Sequence, residues 1–130
     1  RGTDRRIYPW GNIFDGNRLN FCDKNCQLDW ANSHYDDGYV HTAPVGSYLQ
    51  GGSPYGAYDM AGNVSEWVSS KHSSYPYNEN DGREELEGMK IWVIRGGSWL
   101  YSDISARVTN RFNGGPTFTS NDLGFRCVAR

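Results

Sequence analysis

The chain lacks several features that would assign it to a common functional class. Its 13 basic and 15 acidic residues give a formal net charge of −2, and the basic residues are scattered along the sequence. We therefore expect no nucleic acid as partner, because such partners select a basic stripe or face. No apolar run approaches the roughly 20 residues that a membrane-spanning helix needs, so we also expect no membrane insertion.

Cysteine is scarce. The three cysteines, Cys22, Cys26 and Cys127, can form at most one bridge, which excludes a disulfide framework. The spacing of Cys22 and Cys26 allows a local disulfide if their Cα atoms come within about 7 Å, and two free thiols fit the sequence equally well. Cys127 alternates with Phe125 in a strand-like pattern, so we expect it to be a small buried residue.

Signals of catalysis are few. His34, His41 and His72 do not share a metal-binding spacing, and we interpret each as an ordinary surface or partly buried histidine. The sequence has no nucleophile elbow that would activate a serine. A binding protein is therefore a better expectation than an enzyme.

The chain is rich in residues that form turns and aromatic clusters, with 16 Gly, 9 Tyr and 5 Trp among 130 residues. This composition favours turns packed around large flat side chains, in a chain whose length suits one domain. Alternation predicts strands at 64–68, in KIWVIRGGSW, where residues 91–94 alternate between two faces, and in the terminal LGFRCVAR segment. A short helical turn at 26–36 would face Leu28 and Trp30 inward. Residues 78–90 are acidic and predict a solvated insertion loop or a short exposed helix.

A long irregular stretch separates the RGGSW segment at 95–99 from the LGFRC segment at 123–127. Its Tyr and Phe residues offer broad contact area with few torsions to freeze, and its Ser, Gly, Thr and Asn residues adapt hydrogen bonds to different partners. This composition is typical of binding loops. We therefore interpret residues 100–122 as a contact surface, with packing of its aromatic residues on the core as the alternative.

Five motifs carry a resemblance to a known family. YPWGN, TAPVGSY, YGAYDMAGNVSEWV, IRGGSW and NDLGFRC stand in the order and approximate spacing of the formylglycine-generating-enzyme, or sulfatase-modifying factor, family. The resemblance implies an α+β, C-type lectin-like fold of the formylglycine-generating-enzyme variant, with low regular secondary structure. It also implies that residues 1–130 form a single domain corresponding to the C-terminal part of the family domain.

The resemblance does not extend to the family's copper site. In the oxygenase members, two cysteines that follow the GGS motif bind the copper that serves the oxidation of a substrate cysteine. Alignment from Gly96 places Tyr101 and Ala106 at those positions. Neither side chain supplies the thiolate that Cu(I) requires, so we expect no copper and no oxidase activity in spite of a shared fold.

A second resemblance covers the C-terminal segment. Variable proteins of diversity-generating retroelements share this segment, from RGGSW through hypervariable positions to a Pro and an LGFR ending, with fixed Arg and Asn residues between. Arg107, Asn110, Arg111 and Pro116 match the fixed residues. The resemblance places the variable, ligand-binding positions at Leu100, Tyr101, Ser102, Ile104, Ser105, Phe112, Asn113, Gly114, Gly115, Phe118, Ser120 and Asn121.

The composition of the segment agrees with this resemblance. Adenine-directed mutagenesis of AAY codons never yields Lys, Glu, Gln, Trp or Met, and residues 100–122 contain none of the five. For the fixed arginines, Arg107 and Arg111, we predict a structural role in holding the loop. A guanidinium has five donors in a fixed fork and can bind backbone carbonyls or a carboxylate.

The family resemblance also implies two structural Ca²⁺ sites, since oxygen ligands at tight turns suit a hard cation. The first set consists of the Asp59 and Glu66 side chains with the carbonyls of Gly62 and Val64. The second set consists of the Asn20 and Asp37 side chains with the carbonyls of Phe21 and Tyr39. As an alternative, Asp59 and Asn63 serve the turn by side-chain hydrogen bonds to the backbone, with no ion.

These observations favour a non-enzymatic ligand-binding domain. We expect its 100–122 loop to contact a protein or glycan receptor on a target cell surface, and the domain itself to be displayed on a virion tail or cell surface. The alternatives are a divergent enzyme of the formylglycine-generating type, an accessory domain of a larger protein, and a carbohydrate-binding module.

Overall fold

Four short strands form one mixed sheet in the computed structural model, which describes residues 3–85, 87–88 and 91–127. The strands are β1 (Ser65–Lys71), β2 (Trp92–Arg95), β3 (Phe112–Gly114) and β4 (Leu123–Gly124), in the spatial order β3-β2-β1-β4. β2 is antiparallel to both β1 and β3, whereas β4 is parallel to β1. Two 3₁₀ helices, Gly16–Arg18 and Leu49–Gly51, are the only helices in this part of the chain.

β2 is the central element and is buried on both faces. Its successive residues Val93 and Ile94 point to opposite sides of the sheet, and each is only 3% exposed. The predicted strand at 91–94 is confirmed in position, although Ile91 itself is exposed. β1 lies at the predicted 64–68 position and extends to Lys71.

As far as residue 127 the terminal strand is shorter than the sequence predicts, and residues 128–130 of the prediction lie outside the described residues. β4 pairs with β1 only at Leu123 and Gly124, and the chain then leaves the sheet. Phe125 and Cys127 are therefore exposed, so the expectation that Cys127 is buried is wrong.

An aromatic cluster packs the segment that precedes the sheet. Tyr8 stacks on Trp10, while Phe14, Phe21 and Tyr35 meet edge to face with centroids 5.2 to 5.9 Å apart. These contacts are the arrangement that ring quadrupoles favour. The predicted packing of aromatic side chains among turns is therefore observed, and the loop residue Ala106 is buried in the same core.

The segment 22–36 is organised by a disulfide and turns. Cys22 and Cys26 are joined by a disulfide bond, which resolves the alternative that the sequence left open. No helix forms at 26–36, and Trp30 is 52% exposed, so the inward-facing turn is wrong. A hydrogen bond explains this exposure, because the Trp30 indole Nε1 donates to the Leu100 carbonyl at 2.9 Å and so keeps the ring at the surface.

The helices of residues 3–85, 87–88 and 91–127 are the two 3₁₀ helices, each of three residues. None of the helices there is long and apolar enough to cross a bilayer.

Candidate functional site

The loop between β2 and β3 turns sharply as it leaves the sheet. Gly96 and Gly97 have φ values of +94° and +68°, which favour glycine. A Cβ on Gly97 would lie 2.9 Å from the carbonyl carbon and oxygen of Ser105. The loop therefore folds back directly over its own start, and this close approach requires glycine.

Backbone hydrogen bonds attach the loop to the preceding segment. The Cys22 N–H donates to the Tyr101 carbonyl at 3.1 Å, and the Val108 N–H donates to the Ile7 carbonyl at 2.8 Å. With the Trp30 bond to Leu100, three separate points of the loop are held. An irregular loop with so many backbone contacts loses little conformational entropy on binding.

Arg95 clamps the far part of the loop. Its Nη1 donates to the Val108 carbonyl at 3.0 Å and to the Asn110 carbonyl at 3.2 Å. The sequence assigned such a role to Arg107 and Arg111 instead. Arg107 is exposed, and its guanidinium forms no hydrogen bond in the described ranges; only its backbone N–H donates, to the Ile104 carbonyl. The assignment of a clamp to this side chain is therefore wrong.

Arg111 does bind a carbonyl, but outside the loop. Its Nη1 donates to the Ser73 carbonyl at 3.1 Å, and its guanidinium lies over the Tyr75 ring at 4.1 Å from the centroid. Arg111 thus joins the loop to the segment after β1.

Asp122 holds the C-terminal end of the segment 100–122 by hydrogen bonds, a role that the sequence did not predict. The Asp122 side chain is buried and accepts hydrogen bonds from the Ser98 hydroxyl, at 2.8 Å, and from the Ser120 hydroxyl. Its carbonyl accepts the Ser65 N–H at 2.8 Å. Ser98 and Asp122 belong to two of the family motifs, IRGGSW and NDLGFRC, and this membership could have indicated that the pair has a structural role.

Three aromatic residues of the segment 100–122 share one face, and one of them, Phe112, is the first residue of β3. Tyr101 and Phe112 stack with centroids 5.1 Å apart, and both line a cleft of about 120 Å³ together with Phe118. Tyr101 and Phe112 are half-buried, while Phe118 is 49% exposed. Burial, and then the nearby Asp122 carboxylate, raise the pKa of Tyr101, so its hydroxyl stays protonated and can donate to a ligand.

The other predicted contact positions differ in their burial and in the surface that they line. Ile104 is exposed but lines a separate depression with His72 and Tyr75, so it does not join the aromatic face. Ser105 is buried under Gly97, which contradicts a contact role for its side chain. Two positions are exposed, Asn113 and Asn121, and the remaining ones are half-buried: Leu100, Ser102, Gly114, Gly115 and Ser120.

The positions aligned with the copper cysteines have other roles here. Ala106 is 2% exposed and belongs to the aromatic core, and Tyr101 forms the stack with Phe112. Cys22 and Cys26 are oxidised, which leaves Cys127 as the one free thiol in the described part of the chain.

The first predicted calcium set does not fit a metal ion. The Arg126 guanidinium pairs with both Glu66 oxygens, at 2.7 Å from Nε and 2.6 Å from Nη2, and also donates to the carbonyls of Tyr58 and Asp59. The Asp59 carboxylate accepts the Gly46 N–H at 2.7 Å. A cationic side chain therefore already satisfies the Glu66 carboxylate, which leaves Asp59 as the one carboxylate of this set without a cationic partner.

The second set fits better. Asn20 is 1% exposed, its Nδ2 donates to the His41 carbonyl, and its Oδ1 is buried without a hydrogen-bond partner. The Asp37 carboxylate accepts the N–H groups of Phe21 and Tyr39. Burial, and then repulsion from Asp23, raise the pKa of Asp37 to about 6. A bound hard cation would satisfy the orphaned oxygen and favour the charged carboxylate.

Many metal sites are built from three or more acidic, histidine or cysteine side chains that lie close together. Within residues 3–85, 87–88 and 91–127 no group of three or more such side chains could hold an ion. The second set differs in kind, since an amide oxygen and backbone carbonyls supply most of its ligands.

Comparison with known sequences shows one family over the whole chain. The family model described as "Sulfatase-modifying factor enzyme 1-like domain" matches residues 1–130. The inactive C-alpha-formylglycine-generating enzyme 2 of Bos taurus is 35% identical over 134 residues, covering 98% of this chain and 39% of that protein. The formylglycine-generating enzyme of Streptomyces coelicolor is 40% identical over 134 residues, covering 98% of this chain and 41% of that protein. The chain thus spans about two fifths of the length of these curated relatives.

A solved structure agrees with the architecture. Treponema denticola variable protein 1 is similar with a TM-score of 0.65 and 27% identity, over 95% of this chain and 40% of that one. The expected C-type lectin-like fold, with little helix and a curled mixed sheet, is confirmed. The proteins that this chain resembles thus include one named as a formylglycine-generating enzyme, one named as inactive and one named as a variable protein.

Proposed function

The chain belongs to the sulfatase-modifying factor enzyme 1-like domain family, and from this premise we propose that it is a non-enzymatic ligand-binding domain that contacts a receptor through its 100–122 loop. One observation carries the proposal. The stacked rings of Tyr101 and Phe112, with the exposed Phe118 beside them, form an aromatic face on a backbone that is fixed at both ends.

The rigidity of the backbone supports a binding role. Immobilising each mobile side chain at an interface costs roughly 0.5–1.5 kcal/mol, so a receptor-binding surface gains affinity when its supports are ordered beforehand. Arg95 provides that order from outside the aromatic face, and the buried Asp122 provides it from within the cleft that the three rings line. The face itself can then change its side chains without loss of its supports.

The chemistry of the loop supports a role without catalysis. Tyr101 and Ala106 replace the thiolates that the family's oxidase reaction needs, and Ala106 is buried in the core. A relative that covers 98% of this chain is itself named inactive. The domain would bind a partner and leave it chemically unchanged.

The receptor would be a protein or a glycan on a target cell surface, met by a domain displayed on a virion tail or cell surface. The resemblance of the segment to retroelement variable proteins supports this, as does the fold shared with Treponema denticola variable protein 1. In such a system the loop positions vary between copies. The genomic consequence is a nearby reverse transcriptase gene and a template repeat that differs from this segment only at adenines.

A selection experiment tests the proposed function directly. The exposed or half-buried positions Tyr101, Phe112, Asn113 and Phe118 would be randomised and the library selected by display against several unrelated proteins and glycans. We expect binders to more than one target, with melting temperatures close to that of the parent. A control library at Val93 and Ile94 should lose folding, because both side chains are buried.

Two results would overturn the proposal. If the loop library unfolds as readily as the control library, the aromatic face serves only the core. If no target yields a binder from a folded library, the loop is not an adaptable contact surface.

A structural calcium ion is proposed at the second set only. Asn20 and Asp37 would hold it with side-chain oxygens, and Phe21 and Tyr39 with backbone carbonyls. The ion would supply positive charge that ties two loops together where the sheet does not reach. The orphaned Asn20 Oδ1 supports this assignment.

A divergent enzyme is the second candidate, favoured by the 40% identity to the formylglycine-generating enzyme of Streptomyces coelicolor. Copper binding and oxygen-dependent turnover of a cysteine peptide by the purified protein would favour this candidate and contradict a purely binding role. An accessory domain of a larger protein would show neither copper binding nor selectable targets.

A further inference from the structure

A large cavity lies outside the aromatic face. It has a volume of about 590 Å³ and shares no lining residue with the cleft at Tyr101 and Phe112. This volume is in the range of small-ligand pockets, roughly 300–1,000 Å³. Its apolar walls come from three separate stretches of the chain and are formed by Pro9, Pro54, Ala57, Met60 and Val108.

Guanidinium groups border these apolar walls. Arg6, Arg95 and Arg107 line the cavity, and a neighbouring depression of about 370 Å³ shares Arg107 and adds Arg111. No Asp or Glu lines either one, as far as residues 3–85, 87–88 and 91–127 are concerned. The combined surface is basic, although the chain as a whole has a formal net charge of −2.

The charges of this surface are poorly compensated. Four cations elsewhere pair with carboxylates: Arg18 with Asp15, Lys24 with Asp36, Arg83 with Asp81, and Arg126 with Glu66. Lys71 instead donates to the Glu87 carbonyl. Arg6, at the rim, pairs with Asp4. In the described residues, Arg95, Arg107 and Arg111 form no ion pair. Uncompensated positive charge beside apolar walls attracts an anionic partner that also has apolar surface.

The two neighbouring arginines are held in place. Arg95 is fixed by its bonds to the Val108 and Asn110 carbonyls, and Arg111 by the Ser73 carbonyl and the Tyr75 ring. Arg107 is exposed between them and is free to turn its fork toward a ligand. Fixed donors and one mobile donor can together bind successive carboxylates along an extended chain.

We propose that this cavity binds an acidic peptide segment in which an apolar side chain is flanked by carboxylates. The apolar side chain fills the space between the prolines and Val108, and the carboxylates meet Arg95, Arg107 and Arg111. A peptide fits better than a sulfated glycan or a nucleic acid, whose repeating charges lack the apolar group that these walls would bury.

The site also differs in kind from the proposed receptor surface. None of the positions assigned as variable lines the larger cavity; the loop contributes only Arg107, Val108, Thr109 and Asn110. Ile104, which is assigned as variable, lines only the neighbouring depression. On the basis of the proposed function, the larger cavity therefore stays the same in every variant of the loop. It therefore suits a constant partner, such as the protein that carries the domain, rather than the receptor.

Fluorescence anisotropy with a defined probe tests this inference. The probe is a fluorescein-labelled peptide with one Phe flanked by four Glu, and its matched control has Gln in place of each Glu. We expect the Glu peptide to bind at least about tenfold more tightly, with an affinity that falls as salt rises. Arg107→Gln should weaken binding about fivefold, because it removes an uncompensated charge at the site.

Lys24→Gln is the matched variant. It removes one positive charge from an exposed pair with Asp36, away from the cavity, and should change binding less than about twofold. Tyr101→Ala and Phe118→Ala should leave peptide binding intact, which separates this site from the aromatic face. Amide NMR shifts on peptide addition should fall on Ala57, Gly96, Val108 and Thr109.

Three outcomes would overturn the inference. Equal affinity for the Glu and Gln peptides would exclude charge recognition, and equal losses for Arg107→Gln and Lys24→Gln would reduce it to net charge. Binding of dextran sulfate without binding of the Glu peptide would assign the surface to a polyanionic glycan. Because Arg107 is exposed, an unchanged melting temperature of Arg107→Gln separates these results from misfolding.

Discussion

The Ser98 hydroxyl donates a 2.8 Å hydrogen bond to the buried carboxylate of Asp122, and so joins the start of the binding segment to its end. The two residues lie on either side of the whole 100–121 stretch. Asp122→Ala should therefore lower the free energy of unfolding by about 3 kcal/mol, since it leaves the Ser98 and Ser120 hydroxyls without their charged acceptor. Urea unfolding measures this, with the exposed Asp29→Ala as control; equal effects of the two variants would contradict the role of Asp122.

The turn at Gly97 should be intolerant of any side chain. Gly97→Ala combines an unfavourable positive φ with a Cβ placed 2.9 Å from the Ser105 backbone, and should destabilise the protein by about 2 kcal/mol or more. Gly115→Ala is the matched control, because a Cβ there meets no atom within 4 Å. Thermal unfolding of both variants distinguishes them, and a neutral Gly97→Ala would mean that the loop does not fold back over its start.

Calcium should stabilise the protein through Asn20 and Asp37. At a concentration of about 100 times Kd, an ion bound only to the folded state adds about 2.7 kcal/mol, so calcium should raise the melting temperature and EDTA should reverse the effect. Asp37→Asn should abolish this response. Asp36→Asn, next to it in sequence but engaged with Lys24, should preserve it. A calcium response that survives in Asp37→Asn would exclude this ligand set.

Mild acid should weaken the first 3₁₀ helix, Gly16–Arg18. Hydrogen bonding to the Arg18 guanidinium holds the pKa of Asp15 below its usual range, and the Asp15 side chain also caps this helix. Because the folded pKa is lower than the unfolded one, the stabilisation is complete above about pH 5 and is lost as the pH falls through about 4 and below. In Asp15→Asn, stability should decline less steeply over this range, as measured by urea unfolding at each pH. An unchanged slope would contradict the coupling.

The sequence predicted those strands of the sheet in which the alternation of apolar residues extends over several positions. The alternation at 64–68 and 91–94 located β1 and β2, because both strands bury side chains along several residues. β3 gave no such signal, since Phe112–Gly114 has one large side chain and is fixed by its pairing with β2. The brevity of β4 likewise depends on where its partner ends, which no local pattern records.

The sequence predicted which residue types form the candidate site, but it did not predict in which direction each side chain points. Aromatic and small polar residues predicted a contact surface, and Tyr101, Phe112 and Phe118 do share a face. Ile104 and Ser105 do not, because successive turns in the loop set the direction of each side chain independently of any period. The clamp was assigned to Arg107 when it is Arg95, since the position of the accepting carbonyls depends on how the loop folds back.

The pairing of Arg126 with Glu66 has a consequence for where the protein can work. A divalent ion leaves its ligands when its supply in the surroundings drops, whereas a guanidinium on the same polypeptide cannot diffuse away. The junction between β1 and the chain after β4 is therefore self-sufficient, and chelators or ion-poor media should leave it closed.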